Sequence, residues 1–186
     1  MAVEFISSYL SELNKLSKEI SPSEFDIFVK ELKGAYDRES YIFVFGNGGS
    51  GSTASHFVCD MNKGASYGKA KRFKVVCLND NIPTILAYAN DVSYDDVFVE
   101  QLKNFLKKDD LVIGISGSGN SNNVLKAIRF ANDHEGKTFG ICGFGGGKLK
   151  DLAQNSFVVQ SKDMQKVEDM HIILIHCTMQ LLFKDL

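Results

Sequence analysis

The chain has 186 residues, of which 44% are hydrophobic, and its formal net charge at pH 7 is -2. This length predicts one domain with a substantial core, and the balanced charge argues against nucleic-acid binding. No apolar run approaches the ~20 residues that span a bilayer, and residues 1–20 lack the basic head and apolar centre of a secretory signal. We therefore expect a cytoplasmic protein that makes no membrane contact.

Two amphipathic helices are predicted at the amino terminus. Residues 3–17 carry apolar side chains at helical spacing, and a second pattern begins where either Ser21 or Ser23 is suited to cap a helix. We treat 1–38 as a helical extension of a single domain that covers 1–186. A complete sandwich leaves these helices little room, so we expect them, or residues 163–184, to pack against another protomer.

Short apolar runs alternate with helical patterns along the rest of the chain. Strands are predicted at 41–45, 73–78, 111–115, 137–142 and 156–160, and helices at 50–62, 82–89, 94–108, 121–133, 148–154 and 163–184. Near-continuous apolar strands separated by helices are typical of a parallel sheet covered on both faces. The sequence predicts an α/β fold, a three-layer αβα sandwich whose ligands bind beyond the carboxyl ends of the strands.

A glycine-rich loop follows the first predicted strand. Residues 43–52 read FVFGNGGSGS, and Gly46, Gly48 and Gly51 match the G-x-G-x-x-G pattern of dinucleotide-binding turns. That pattern requires an acidic residue ~20 positions later, at the end of the next strand. Here the next strand ends at Leu78-Asn79-Asp80, more than thirty residues on. A nicotinamide site is therefore disfavoured, and a Walker loop is excluded because no Gly-Lys-Ser/Thr follows.

A second loop of the same chemistry follows the strand LVIGI. Residues 115–123 read ISGSGNSNN and precede a predicted helix. Glycines let backbone N–H groups turn toward a ligand, the helix N-terminus adds partial positive charge, and serine hydroxyls supply further donors. Two helix caps rich in serine and glycine are the alternative explanation, but the repetition at two strand ends favours a site for a phosphate or a polyhydroxylated ligand.

Three of the four histidines stand close to carboxylates on predicted helices. His56 and Asp60 are four residues apart on one helix face, and VEDMHIILIHC carries Glu168, His171 and His176. Imidazoles with carboxylates form a plausible zinc set, although a surface hydrogen bond is the commoner role of such a pair. Glu168 and His176 lie ~12 Å apart along an ideal helix. They share one metal only if both lean inward, the helix bends, or different protomers contribute, and spacing alone favours His171.

The four cysteines form no C-x-x-C motif, and three stand beside or within apolar segments. We predict reduced, buried thiols that pack as small hydrophobic groups, which agrees with a cytoplasmic location. These cysteines are Cys59, Cys77, Cys142 and Cys177.

Four segments together resemble the sugar isomerase (SIS) domain family, and among its members the phosphoheptose isomerases. They are GNGGS with the following His and Asp, NDNIPTILAYAND, ISGSGNSNNV and VEDMHIILIH, and the resemblance runs from about residue 3 to residue 184. It implies a flavodoxin-like sheet of five parallel strands in a homotetramer with sites at protomer boundaries. The implied reaction interconverts sedoheptulose 7-phosphate and D-glycero-D-manno-heptose 7-phosphate, which feeds the synthesis of surface-polysaccharide heptose.

The resemblance also implies residue roles. It assigns one zinc ion per site to the set His56, Asp60, Glu168 and His176, which leaves His171 as a helix-packing residue. It assigns the sugar to Asn47, Gly48, Gly49, Asn90 and Asp91, and the phosphate to Ser116, Gly117, Ser118 and Ser121. Glu168 is also expected to contact the substrate. In the implied mechanism a metal-stabilised enediol forms, Asp60 moves the carbon-bound proton, and His176 acts as acid–base group or only as a ligand.

Several positions depart from the family pattern. The family usually has Glu at Asp60, Gln at Glu168, Thr at Gly117, Asp at Gln165 and Arg at Lys166. Asp60 is one methylene shorter than Glu, and a misplacement of ~1 Å can cost ~10²-fold in rate. The departures leave two alternatives open: an isomerase of a different phosphosugar, or a non-catalytic SIS module that binds a phosphosugar or bridges proteins, as in replication initiation.

Overall fold

The computed structural model describes all 186 residues. It contains eight α-helices and five β-strands, joined by turns and loops. The strands are β1 (Tyr41–Gly46), β2 (Lys74–Cys77), β3 (Leu111–Ser116), β4 (Lys137–Cys142) and β5 (Asn155–Val158). The helices are α1 (Ala2–Lys18), α2 (Pro22–Arg38), α3 (Gly49–Cys59), α4 (Ile82–Asp91), α5 (Val99–Phe105), α6 (Asn122–Asp133), α7 (Gly147–Leu152) and α8 (Met164–Asp185). A π-helical turn, Asp60–Ala65, continues α3.

The five strands form one parallel sheet in the order β2-β1-β3-β4-β5. Successive side chains of a strand point to opposite faces, so Ile42 and Val44 pack with α2, α3 and α8, whereas Phe43 and Phe45 pack with α5, α6 and α7. Both faces are therefore apolar and covered. The predicted three-layer α/β fold with a five-stranded parallel sheet is confirmed.

The two amino-terminal helices are attached differently. Helix α2 begins at Ser21, whose hydroxyl accepts the Glu24 N–H, and it buries Phe28 and Leu32 in the core. Helix α1 has no buried residue and exposes much of its apolar stripe, including Phe5, which is 72% exposed. Its half-buried Leu13 and Leu16 pack against the core, and the Tyr9 hydroxyl donates to Asp169 of α8 at 2.6 Å. This bond raises the pKa of Tyr9 to about 12.

Two sequence predictions are wrong in detail. The single helix predicted at 94–108 is a 3₁₀ turn, Tyr94–Asp96, followed by α5, because the buried Val97 and Phe98 join the core between them. Of the four cysteines, only Cys77 and Cys142 are buried, while Cys59 and Cys177 are exposed on helix faces that turn away from the sheet. None of the helices has the length and apolarity needed to cross a membrane.

Candidate active site

The two glycine-serine loops meet at the carboxyl ends of β1 and β3. These strands are neighbours, but α3 after β1 packs on one face of the sheet and α6 after β3 packs on the other. Such a reversal opens a crevice in which α/β proteins bind ligands. A cavity of about 270 Å³ lies there, lined by Asn47, Gly48, Gly49, Ser50, Ser116, Gly117, Ser118, Ser121, Met164 and Glu168.

The second loop is held by its own hydroxyl groups. The Ser116 and Ser121 hydroxyls are 3.1 Å apart, and the Ser116 hydroxyl accepts the Gly119 N–H. The Ser118 hydroxyl accepts the Asn120 N–H at 3.3 Å. Ser121 is the residue before the first turn of α6, where unpaired N–H groups and the helix dipole favour an anion. This end of the cavity is suited to a phosphate.

A third loop, residues 143–148, packs against the second one and holds it in place. This loop was not identified from the sequence. The Gly143 N–H donates to the Gly117 carbonyl, and the Leu149 N–H donates to the Gly119 carbonyl, both at 2.9 Å. Gly119 has φ +66°, and a Cβ there would collide with the Gly146 carbonyl. The run GFGGGK at 143–148 was the available signal, since three consecutive glycines after a strand indicate close backbone approach.

Asn47 is oriented by two residues that sequence reasoning missed. Its side-chain amide exchanges two hydrogen bonds with that of Asn123, at 2.8 and 2.9 Å, and accepts the Tyr94 hydroxyl at 2.9 Å. One N–H of Asn47 has no partner among these and is available to a ligand. Asn123 lies on α6, so this amide pair connects the first loop to the second.

The structure brings His56, Asp60 and His176 together. The two histidine Nε2 atoms are 2.8 Å apart, and Asp60 Oδ2 lies 3.6 Å from that of His56 and 3.7 Å from that of His176. His56 and Asp60 are one turn apart at the end of α3, and His176 reaches them from α8. The predicted pairing of two distant helices at one point is confirmed for these three side chains.

This donor set fits a divalent metal ion. Asp60 Oδ2 is buried and has no hydrogen-bond partner, a costly state for a carboxylate unless a cation compensates it. Tetrahedral zinc ligands at about 2.1 Å from the ion lie about 3.4 Å from one another, which matches this triangle. The imidazoles are about half exposed, 46% and 44% of each side chain. Three protein ligands with an open side are typical of catalytic zinc sites.

Three other predicted residues lie outside the His56–Asp60–His176 group. The Glu168 carboxylate packs over Gly49 at the start of α3, so that a Cβ at Gly49 would lie 2.5 Å from Glu168 Cδ, and Glu168 is not in the histidine–aspartate group. Its role as a fourth ligand stays a prediction. Asn90 and Asp91 are bonded to each other at the end of α4 and do not line the cavity.

Comparison with known proteins identifies the family. Residues 5–143 match the family model of the SIS domain. The chain belongs to the SIS domain family. The phosphoheptose isomerase of Helicobacter pylori (strain ATCC 700392 / 26695) is 41% identical over 140 residues, which cover 75% of this chain and 72% of that protein. That of Aliarcobacter butzleri (strain RM4018) is 37% identical over 145 residues, covering 78% and 76%.

Solved structures agree in fold. The phosphoheptose isomerase of Neisseria gonorrhoeae superposes on this SIS domain with a TM-score of 0.89 at 24% identity, over 98% of each chain. The sequence relatives confirm the predicted enzyme class, a phosphosugar isomerase. The cavity and the His56–Asp60–His176 group of this SIS domain thus form the candidate active site.

His171, which spacing alone favoured as a ligand, is a core residue of this SIS domain. Its side chain is fully buried, and Nε2–H donates to the Cys142 carbonyl at 3.1 Å, which leaves Nδ1 as a buried acceptor without a partner. Burial disfavours the charged ring and lowers the pKa of His171 to about 4. His171 therefore holds α8 against the end of β4 as a neutral ring.

Because the neutral ring of His171 is buried, we expect the fold to lose stability in acid. The unfolded chain binds a proton near pH 6.5 and the folded chain only near pH 4, so the stability that neutral His171 provides is complete above pH 6.5 and is lost as pH falls to 4. The loss attributable to this residue is about 3 kcal/mol. Urea unfolding at pH 7 and pH 4.5 should show a smaller drop in His171→Gln than in the unmodified protein. Equal drops in the two proteins would contradict the assignment.

Proposed function

We propose that this protein interconverts sedoheptulose 7-phosphate and D-glycero-D-manno-heptose 7-phosphate by moving a proton between C1 and C2 through an enediol. One observation carries the proposal: α3 and α8 line the anion cavity at their amino-terminal ends and meet again at the His56–Asp60–His176 group. His56 follows Gly49 by seven residues, about 10 Å along an ideal helix. An extended phosphosugar is the class of ligand that reaches both places.

The phosphate end of the substrate is assigned to the second loop. Ser116, Ser118 and Ser121 offer hydroxyl groups, and Ser121 directly precedes the first turn of α6. Neutral donors at a helix N-terminus bind a phosphate without a fixed positive charge. Anchoring this end holds C1 and C2 near the catalytic side chains. Such positioning contributes a large part of the rate enhancement of an enzyme.

His56, Asp60 and His176 would hold the zinc ion, with Glu168 as the predicted fourth ligand. A bound zinc ion supplies Lewis acidity to oxygens at C1 and C2. We assign the transfer of the carbon-bound proton to Asp60, with Oδ2 directed at the metal position beside the two imidazoles and Oδ1 left to act as the base. We assign the proton exchange between the two substrate oxygens to His176, which is half exposed beside it.

Three further properties belong to the proposal. We propose that residues 1–186 act as one SIS domain in the cytoplasm, in the synthesis of surface-polysaccharide heptose. We also propose a homotetramer with sites at protomer boundaries. The apolar side chains that α1 and α4 expose support the assembly: Val3, Ile6 and Leu10 on α1, and Ile82 and Leu86 on α4, each more than half exposed. Sedimentation at micromolar concentration tests the oligomeric state.

The deciding experiment is incubation of the purified protein with sedoheptulose 7-phosphate. We expect turnover with one zinc ion per chain, its loss after chelation, and its return on addition of Zn²⁺. A panel of shorter ketose phosphates tests the assigned sugar. Absence of turnover with every sugar, in a protein that contains no stoichiometric metal, would instead favour the non-catalytic SIS module.

Ser118→Ala tests the phosphate assignment. Loss of one hydrogen bond to a charged group costs about 1.5–3 kcal/mol, so KM for the phosphosugar should rise about 10- to 100-fold with kcat little changed. Ser7→Ala, on an exposed part of α1, is the matched control and should leave KM as it is. An unchanged KM in Ser118→Ala would remove this residue from the phosphate site.

A further inference from the structure

The cavity at the ends of β1 and β3 has one apolar side chain in its wall. Nine of its ten lining residues are polar or glycine, and the tenth is Met164, the first residue of α8. Because a hydroxyl-lined cavity gains nothing from a thioether in binding a phosphate ion, Met164 requires another explanation.

Met164 lies directly over Gly117 in the phosphate loop. A Cβ built on Gly117 would be 2.5 Å from Met164 Sδ and 3.3 Å from its Cε. Gly117 is not among the glycines with positive φ, so its backbone would accept a side chain. The glycine therefore leaves the space that the thioether above it occupies, and the loop conformation does not require it. Gly117 and Met164 form a complementary pair.

Both members of the pair are held in place. The Gly117 carbonyl accepts the Gly143 N–H at 2.9 Å, which fixes the loop. The start of α8 is fixed by the Asp163 cap, which accepts the Lys166 N–H, and by the Lys166 ammonium, which contacts Asp163 at 2.8 Å and Glu12 at 2.6 Å. Lys166 therefore joins α1 to the helix that carries Met164.

We infer that Met164 is a specificity-determining residue, which selects phosphate esters of a terminal, unbranched CH₂ group over esters of a ring or secondary carbon. The inference rests on the proposed function, because it needs a phosphate at Ser116, Ser118 and Ser121. With the phosphate there, the ester carbon meets the thioether wall. A methylene group packs against Sδ and Cε, whereas a branched carbon collides with them.

The test compares equilibrium binding of three probes by calorimetry: fructose 6-phosphate, glucose 1-phosphate and inorganic phosphate. The unmodified protein should prefer the terminal ester by about tenfold or more, the usual effect of one misfitting carbon. Met164→Ala should reduce that preference about tenfold and leave inorganic phosphate binding unchanged, while Met164→Leu, which keeps the wall, should retain the preference. An unchanged preference in Met164→Ala would overturn the inference.

Gly117→Ala is a second, independent variant. Its added methyl group displaces Sδ into the cavity, so affinity for fructose 6-phosphate should fall about tenfold and return in the double variant Gly117→Ala/Met164→Ala. If the double variant has the melting temperature of the unmodified protein but does not recover its affinity for fructose 6-phosphate, the pairing of Gly117 and Met164 is overturned. If the protein binds sedoheptulose 7-phosphate but does not convert it, the isomerase proposal fails, and the ratio of the two ester affinities still decides this inference. Failure to bind any phosphosugar would overturn both.

Discussion

Asp60→Asn is expected to lower kcat for phosphosugar isomerisation by about 10³-fold, within the 10²–10⁴ range that general bases contribute. The amide keeps the size of the carboxylate but cannot accept the carbon-bound proton. Because Asp60 Oδ2 is buried without a hydrogen-bond partner, its removal should not lower the melting temperature of the metal-free protein. The measurements are the initial rate with saturating Zn²⁺ and the thermal unfolding curve after chelation.

Two companion variants make the result specific to this carboxylate. Asp26→Asn makes the same chemical change on an exposed face of α2, and it should leave the rate unchanged. Asp60→Glu keeps a carboxylate that reaches about 1 Å further, so it should retain activity within about 10²-fold. Near-normal turnover in Asp60→Asn would refute Asp60 as the base. Equal losses in Asp60→Asn and Asp60→Glu would point to geometry rather than basicity.

Gly119→Ala is expected to raise KM for the phosphosugar about 10- to 100-fold. Gly119 has φ +66°, which costs an alanine about 1–2 kcal/mol, and the added Cβ would also collide with the Gly146 carbonyl. The two backbone segments cannot both stay in place, and we expect the loop that carries Ser118 and Ser121 to be displaced. A displacement of about 1 Å is enough for a loss of this size. Steady-state kinetics and inorganic phosphate binding both report it.

Gly145→Ala is the matched control for this prediction. Gly145 also has a positive φ, +79°, but no atom lies within 4 Å of the position its Cβ would take. This variant therefore carries the conformational cost without the collision. It should lose about 1–2 kcal/mol of stability and keep its KM. Similar KM values in the two alanine variants would show that the contact with the 143–147 loop does not position the phosphate loop.

The two loops of the candidate site could be predicted from the sequence because their signals are local. Glycines, serines and asparagines stand directly after apolar strands, and the carboxyl ends of parallel strands share one edge of the sheet. The contacts that orient these loops carry no such signal. Asn123 and Tyr94 reach Asn47 only because α6 packs on β3, the neighbour of β1, and the turn before α5 packs against α6. Nothing in the spacing of residues 47, 94 and 123 indicates that they meet.

The sequence by itself determined the layers of this protein, since a continuously apolar strand must be covered on both faces and each helical pattern has one apolar stripe to cover it. It also determined which residue types are available for binding a phosphate and a metal ion. Spacing along α8 favoured His171 whereas the family resemblance assigned His176, and only the tertiary structure decided between them by placing His176 beside His56 and Asp60. Both histidines are on α8, and the rotation of that helix against β4 buries one ring and presents the other, which spacing along a single helix cannot specify.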